Sequence, residues 1–422
     1  PRIETAYNLL FLARGRHPIL MNKLRFEGYW ANRPRDVANL ARFASHQLER
    51  PLNWQVVPLS RDWTQWADSP ILYLASHQAV KLSDEDVRKI RSFVQNGGLL
   101  YTQADGDSAE FNMFAGQLAG RLFPGYPVAD LPANHPVFNT MFRMPPVAGL
   151  RAVSNGSRLL MLHSTTDLSR YWELRDFKSK EAMFQWGTNL FIYAAGKRDL
   201  RNRLASNYLP PPATAPSKSF RVARLSYEGN WDPEPAAWER FARWFAGETG
   251  YGLEVVNVPV AQLKRGAATI AVLTGTSRHE LTDAEGAALK AYVEAGGVVL
   301  ADMCGGVGDF AAGLESSLFL KTFAGSSPRT ITSTHSLLSG ESGGMDDLSR
   351  PRLRTFAVES IGSDGGLPEE LAAGRGHVLL TRLDITTGLL GTQTWGVRGY
   401  DPDYAQGFVK NVILWTLDGQ RD

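Results

Sequence analysis

The chain repeats itself at long range, and this constrains its fold more than any single motif does. Leu24-Arg25-Phe26-Glu27-Gly28-Tyr29-Trp30 returns as Leu225-Ser226-Tyr227-Glu228-Gly229-Asn230-Trp231. Ser83-Asp84-Glu85-Asp86, a helical stretch and then Asn96-Gly97-Gly98-Leu99-Leu100-Tyr101 return as Thr282-Asp283-Ala284-Glu285, a helical stretch and Ala295-Gly296-Gly297-Val298-Val299-Leu300. Order and approximate spacing are kept, which marks a duplicated domain rather than chance similarity. The duplication is also an internal control. A group needed for chemistry is expected in at least one copy with its whole supporting constellation.

At 422 residues the chain exceeds one ordinary core, and the repeat divides it in two. Hydrophobic residues at 43% and charged residues at 21% fit a globular protein. Lys+Arg 45 against Asp+Glu 43 leaves a net charge of +2, and no basic run or arginine stripe is present, which argues against a nucleic-acid partner. No apolar stretch has the length of a membrane span. The single cysteine, Cys304, excludes an intrachain disulfide and a cysteine-based zinc site. The start at Pro1 suits either a processed mature protein or a trimmed chain, and a removed signal peptide would leave no trace.

The clearest boundary is Leu209-Pro210-Pro211-Pro212-Ala213-Thr214-Ala215-Pro216-Ser217, a stiff connector that continues neither helix nor strand. The expected domains are therefore 1–204 and 219–422, with 205–218 as linker. Copy one reads as strands at Lys23–Phe26, Gln55–Leu59, Ile71–Ala75 and Leu99–Thr102. Its first helix, Arg35–Leu48, places Val37, Leu40, Ala41 and Ala44 on one face. Ser83 with Asp86 forms a capping pair, the helix carries Val87, Ile90, Phe93 and Val94 inward, and Asn96-Gly97-Gly98 ends it. Another helix is expected around Phe114–Leu122. Copy two repeats the pattern with strands Val222–Tyr227, Glu254–Val258, Ile270–Thr274 and Val298–Ala301, and with Thr282 and Glu285 as its capping pair. Each copy closes on a strand and a helix, Arg158–His163 with Ala182–Ala194 and His377–Arg382 with Tyr404–Leu417. Alternating helices and continuous apolar strands predict two tandem flavodoxin-like, three-layer α/β/α domains with mostly parallel sheets.

The Glu-Gly-x-Trp strand end, the Gly-Gly strand with its acidic turn, Asn134-His135-Pro136-Val137-Phe138 and Trp186-Gly187-Thr188-Asn189-Leu190-Phe191-Ile192-Tyr193 together resemble the bacterial domain of unknown function 4159. The resemblance covers most of copy one. Copy two diverges: Thr334-His335-Ser336 lacks the proline, and Lys410-Asn411-Val412 keeps only the asparagine. The family has no established activity. The resemblance implies a glutamine-amidotransferase-like fold and an exported or envelope-associated, periplasmic setting.

That resemblance directs attention to Cys304. Amidotransferase-like folds can carry a cysteine nucleophile on a strand-to-helix elbow, usually with glycine two residues before and two after. Asp302-Met303-Cys304-Gly305-Gly306 replaces the preceding glycine with aspartate. A nucleophile also needs a base and an orienter, and the late strand of copy two reads Thr381-Arg382-Leu383-Asp384 without histidine. Asp105 holds the equivalent place in copy one. A lone cysteine is more often a small buried hydrophobe.

Three other groups fall at strand ends, where open parallel sheets bind ligands. Glu27 and Trp30, with Glu228 and Trp231, are candidate ligand anchors, a carboxylate beside an aromatic face suiting a sugar or polar small molecule. The opposing reading has the tryptophans packing the loop. Gln103-Ala104-Asp105-Gly106-Asp107 and Asp302 to Asp309 offer acids without the spacing of a calcium loop, so no metal is expected. Asp105, His163 and Asp167 form the best general acid-base set of copy one. Copy two places Arg382 near the His163 position and Asp384 near Asp167, so the set is not duplicated. Asn134-His135-Pro136 is read as a rigid turn, and Asn189 and Asn411 as partners of neighbouring backbone. No Walker A loop, dinucleotide Gly-x-Gly-x-x-Gly, His-Glu-x-x-His or Gly-x-Ser-x-Gly motif is present, and no cofactor is expected.

These observations predict a non-catalytic tandem protein for binding or assembly in the bacterial envelope, with a polar small molecule or a protein as partner. Alternatives are a hydrolase on a sugar or amide using Asp105, His163 and Asp167, and a structural subunit with Trp63, Trp66, Trp172 and Trp395 as interface anchors.

Overall fold

A computed structural model describes residues 2–197, 200–341, 343–362 and 366–419. The chain forms two compact units. The first comprises residues up to Asn155, Leu159–Tyr208 and Gln393–Gly396, and the second Gly156–Arg158, Leu209–Thr392 and the chain from Val397. The division at Tyr208 falls within residues 205–218.

The first sheet contains β1 (Ile19–Arg25), β2 (Asn53–Pro58), β3 (Ile71–Ser76), β4 (Leu99–Ala104), β5 (Ala129–Asp130), β6 (Leu150–Ser154) and β7 (Leu159–Ser164), in the order β2-β1-β3-β4-β7-β6-β5. Five strands run parallel, and β6 and β5 close the edge antiparallel. The second sheet repeats this arrangement with β8 (Ser219–Ser226), β9 (Gly252–Pro259), β10 (Ile270–Gly275), β11 (Val298–Met303), β12 (Arg329–Thr330), β13 (Glu369–Ala373) and β14 (Gly376–Thr381). Read from its other edge, it has the same order, each strand replacing the one seven earlier. The protein is therefore α/β, with two tandem domains built on seven-stranded, mostly parallel sheets. The β2-β1-β3-β4 portion is the order of flavodoxin-like doubly wound sheets. The antiparallel edge was missed in the sequence because β5 and β12 are two residues long and exposed.

Helices of the first unit are α1 (Arg2–Gly15), α2 (Asp36–Gln47), α3 (Asp84–Gln95), α4 (Ala109–Leu122), α5 (Ser169–Leu174) and α6 (Glu181–Ala195). One face of the sheet packs Leu24, Leu72, Leu74 and Leu100 against Val87, Ile90, Phe93 and Val94 of α3 and Phe111, Phe114 and Leu118 of α4. Alternation sends Lys23, Tyr73 and Tyr101 to the other face, where Asp36 of α2 and Trp172 of α5 meet them. In the second unit the helices are α7 (Ala237–Thr249), α8 (Asp283–Glu294), α9 (Phe310–Leu314), α10 (Ser336–Ser339), α11 (Thr355–Ile361), α12 (Thr386–Leu389) and α13 (Pro402–Leu417). Val222, Val272 and Leu300 face α7 and α13, while Ala223, Ala271 and Val299 face α8 and α9. A two-faced core explains the continuous apolar strands.

Both capping pairs form reciprocal boxes, Ser83 with Asp86 and Thr282 with Glu285. The following Gly-Gly pair has two separate causes. Gly97 and Gly296 adopt positive φ of 98° and 96°, which side chains resist. Gly98 and Gly297 lie under the rings of Phe93 and Tyr292, where an added Cβ would approach within 2.3 Å of a ring carbon. Gly98→Ala and Gly297→Ala are each expected to destabilise the unit that carries them by about 1–3 kcal/mol through overpacking, read from denaturant midpoints at unchanged slope.

Candidate functional site

The first unit gathers its polar groups at the carboxyl ends of β1, β3, β4 and β7. At the bottom of this edge Lys23 of β1 is buried and binds Asp36 Oδ1 at 2.7 Å and the Arg33 carbonyl at 2.5 Å. Tyr73 donates to Asp36 Oδ2 at 3.2 Å. Burial pushes the Asp36 carboxyl up to about 6, against the pull of Lys23. Gln103 continues the network, donating to the Tyr73 hydroxyl and accepting from Tyr101.

Asp167 organises the edge. Its Oδ2 accepts from Arg33 at 2.5 Å and from the Gly106 amide at 2.9 Å, and its Oδ1 accepts from the Arg170 amide and Ser169. Its own amide donates to Asp107 Oδ1 at 2.7 Å. A carboxylate with this many donors, its side chain fully buried, is committed to holding the turn after β4 against the loop before α2.

Asp105 lies beside it, 3% exposed. Oδ2 accepts from Asn32 at 2.9 Å, and Oδ1 has no partner among the described residues. Burial, then the charge of Asp167, raises its pKa, while Asn32, Arg33 and Lys23 oppose the shift. The Asn32 amide also reaches His77 Nδ1 at 3.0 Å, and the His77 ring packs on Tyr29 at 4.5 Å between centroids. Neither Asn32 nor His77 belongs to a motif in the sequence. The available signal was position, since both follow the ends of parallel strands.

His163 does not join this group. It pairs with Thr102 in the strand register and shares that residue's face of the sheet, towards α4, whereas Asp105 engages the β1–α2 loop on the other. The His163 Nε2 bonds the Asn112 amide oxygen at 2.8 Å, and Nδ1 bonds Thr102 Oγ1 at 2.9 Å. Asn112 donates its NH2 to the Thr165 carbonyl, so its oxygen faces His163 and Nε2 must carry the proton. Both ring nitrogens are thus spent, and burial lowers the imidazole to about 4. The expected Asp105, His163 and Asp167 set is corrected: Asp105 and Asp167 adjoin, and His163 is a neutral core residue. The β11–β14 register also puts Leu380, rather than Arg382, at the His163 position of the second unit.

The second unit uses the same plan with its groups buried, though Asp384 Oδ2 and Arg354 Nη2 have no hydrogen-bond partner among the described residues. Asp384, the counterpart of Asp167, accepts from the Gly305 amide at 2.9 Å and the Thr387 amide at 3.0 Å. Thr381 bends the exit of β14 by donating to the Leu383 carbonyl, as Ser164 does to Thr166 after β7. Glu234 occupies the sequence position of Arg33, and the guanidinium beside Asp384 comes instead from Arg354, 3.9 Å away and anchored on the Tyr400 and Thr392 carbonyls. Asp302 accepts from the Ile385 and Thr386 amides and the Thr386 hydroxyl. Burial, then Asp384, raises its pKa. Cys304 is fully buried, with its sulfur 3.6 Å from Thr387 Oγ1. Burial pushes the thiol far above its usual range, and Asp384 and Asp302 push further. A nucleophilic cysteine needs the opposite environment.

The expected ligand anchors separate by type. Glu27 and Glu228 are exposed. Trp30 and Trp231 are partly buried against the cores of their units, and Arg224 covers the Trp231 ring at 5.3 Å. They pack the loop, since each indole, five residues beyond its strand, turns back onto the neighbouring apolar core. Trp66 and Trp172 are likewise fully buried. Asn189 and Asn411 clamp the loops ending at Phe142 and Asp346 by accepting and donating to backbone. His135 and His335 cap the turns before them through Nδ1. Among the described residues no cluster of three His, Cys, Asp or Glu side chains could hold a metal, and no helix is long and apolar enough to cross a membrane.

Two measurements follow from this geometry. Asp167→Ala is expected to cost about 2–4 kcal/mol by stranding the Gly106 amide and Arg33, seen as a lower denaturant midpoint. In the second unit His335 and His377 bind Glu370, the latter at 2.6 Å, and these bonds lower the carboxyl from 4.5 to about 2. A depressed acid stabilises the fold above its unfolded pKa and loses that contribution as pH falls through the folded one. The melting temperature is therefore expected to fall more steeply between pH 4.5 and 2 in the native chain than in Glu370→Gln.

No relative was found among curated proteins. A solved structure described as a putative phosphosugar isomerase, from Silicibacter pomeroyi DSS-3, is 14% identical, with 70% of this chain and 78% of that chain covered and a TM-score of 0.18. No inference about function follows from it. Residues 20–195, which run from β1 to the end of α6, match the family model of the domain of unknown function DUF4159.

Proposed function

We propose that the protein is a non-catalytic tandem binding protein on an amidotransferase-like fold, engaged in recognition or assembly at the bacterial cell envelope. The fate of the strand-end groups supports this reading most. Asp167, Asp384 and Asp302 each accept several structural hydrogen bonds, and Cys304 is sealed as a thiol. The shared strand-turn-helix position of Asp105 and Cys304 supports the amidotransferase-like relationship. The envelope setting rests on the family resemblance. Against a hydrolase using Asp105 and His163, the His163 ring has spent both nitrogens on Thr102 and Asn112. Buried Trp66 and Trp172 remove two of the interface anchors that a structural subunit would use.

The test combines turnover with thiol access. The full chain is expected to release no product from fluorogenic amide, ester or glycoside substrates. Cys304 is expected to resist iodoacetamide until denaturant unfolds the second unit. Turnover that disappears in Asp105→Asn, His163→Ala or Cys304→Ser would overturn the reading.

A further inference from the structure

One part of the strand-end edge is neither saturated nor sealed. In the first unit Asn32 and His77 are half-buried and joined to each other. Their chemistry is fixed from below. Asp105 as a carboxylate only accepts, so Asn32 must turn its NH2 towards Oδ2. The second N–H of that group then points at His77 Nδ1, which must accept. In the neutral ring this places the proton on Nε2. The Asn32 amide oxygen and His77 Nε2 have no partner among the described residues, and neither is a buried unsatisfied atom, so both meet solvent. An oriented acceptor and an oriented donor thus belong to two residues already joined through Asn32 Nδ2 and His77 Nδ1. The Tyr29 ring, 52% exposed, packs on His77 and offers a flat apolar face.

Resting on the binding reading above, we propose that Asn32, His77 and Tyr29 form a carbohydrate subsite. Neighbouring sugar hydroxyls match an adjacent acceptor and donor, one hydroxyl donating to Asn32 Oδ1 and the next accepting from His77 Nε2–H. The C–H face of the ring lies on Tyr29. A cation would find the outward imidazole N–H opposing it, and an anion would find the Asn32 oxygen and the nearby Asp105 charge unfavourable. Asp105 is a positioning residue, holding the Asn32 amide in one orientation and through it the His77 tautomer. The second copy cannot reproduce the subsite. Pro233, Thr276 and Cys304 stand where the first has Asn32, His77 and Asp105, and Asn230 donates to Thr276 Oγ1 at 2.6 Å. Each chain therefore has one such subsite.

The experiment titrates cellotetraose, chitotetraose and maltotetraose into the full chain by calorimetry. At least one is expected to bind with one site per chain, to lose about tenfold in affinity in Tyr29→Ala and in His77→Ala, and to keep its affinity in Tyr29→Phe. Asp105→Asn is expected to change the ring-nitrogen shifts of His77 from the Nε2–H pattern, a signature that general destabilisation would not move. Failure of all three sugars to bind, two sites per chain, or binding indifferent to Tyr29→Ala and His77→Ala would overturn the subsite. If amino-acid or peptide probes raise the melting temperature while no sugar binds, the subsite fails and the binding reading stands. Hydrolysis of a bound oligosaccharide by the wild-type chain would instead overturn the non-catalytic reading.

Discussion

A buried aspartate gripping the first amide of a turn holds each strand-end edge in place. Asp167 does this for Gly106 and Asp384 does it for Gly305. Each carboxylate comes from the loop after the fifth parallel strand and seizes the turn after the fourth, and a strand-exit hydroxyl shapes each loop. The turn after β4 is under real constraint, since Gly106 and Asp107 both take positive φ, 65° and 58°. Asp107 accepts the Asp167 amide there, so turn and clamp hold each other. A buried ion with satisfied donors is costly to break and adds little beyond a well-packed apolar substitute. Its service is to fix the positions of the residues on either side.

Divergence around this shared clamp explains why the two edges differ. In the first unit the guanidinium arrives on the β1–α2 loop through Arg33, which also brings Asn32 over Asp105. In the second unit that loop carries Glu234 instead, and Arg354 arrives from the segment before α11. The second edge closes over Cys304, Thr386 and Thr387, all buried. The first retains half-buried Asn32 and His77 beside an exposed tyrosine. The duplication preserved the device that holds the edge, while the Asn32 and His77 pair belongs to the first copy.

Much of the scaffold was legible in the sequence because it rests on local rules. The capping boxes, the Gly-Gly stops and the α2 and α3 faces depend on residues within a few positions of one another, and all are found in the structure. The Asn189 and Asn411 clamps were legible for a related reason, since an amide in an otherwise buried helix needs backbone partners. The site was less legible because it depends on which side of a strand a residue faces at its end. His163 and Asp105 come from neighbouring strands, but Asp105 lies three residues beyond Thr102, the register partner of His163, and that odd number of steps sends them to opposite layers. Tyr29 and Trp30 present the same problem in a loop: the exposed ring is the tyrosine, and the tryptophan turns into the core.

The central claim is that the strand-end aspartates serve the fold. Native-state hydrogen exchange of the Gly106 and Gly305 amides addresses it most directly, because each donates to one of those carboxylates. Exchange as slow as that of the core strands β4 and β11, with Gly106 alone released in Asp167→Asn, is the result this account predicts. Gly106 and Gly305 amides that exchange as fast as exposed loop amides would contradict it.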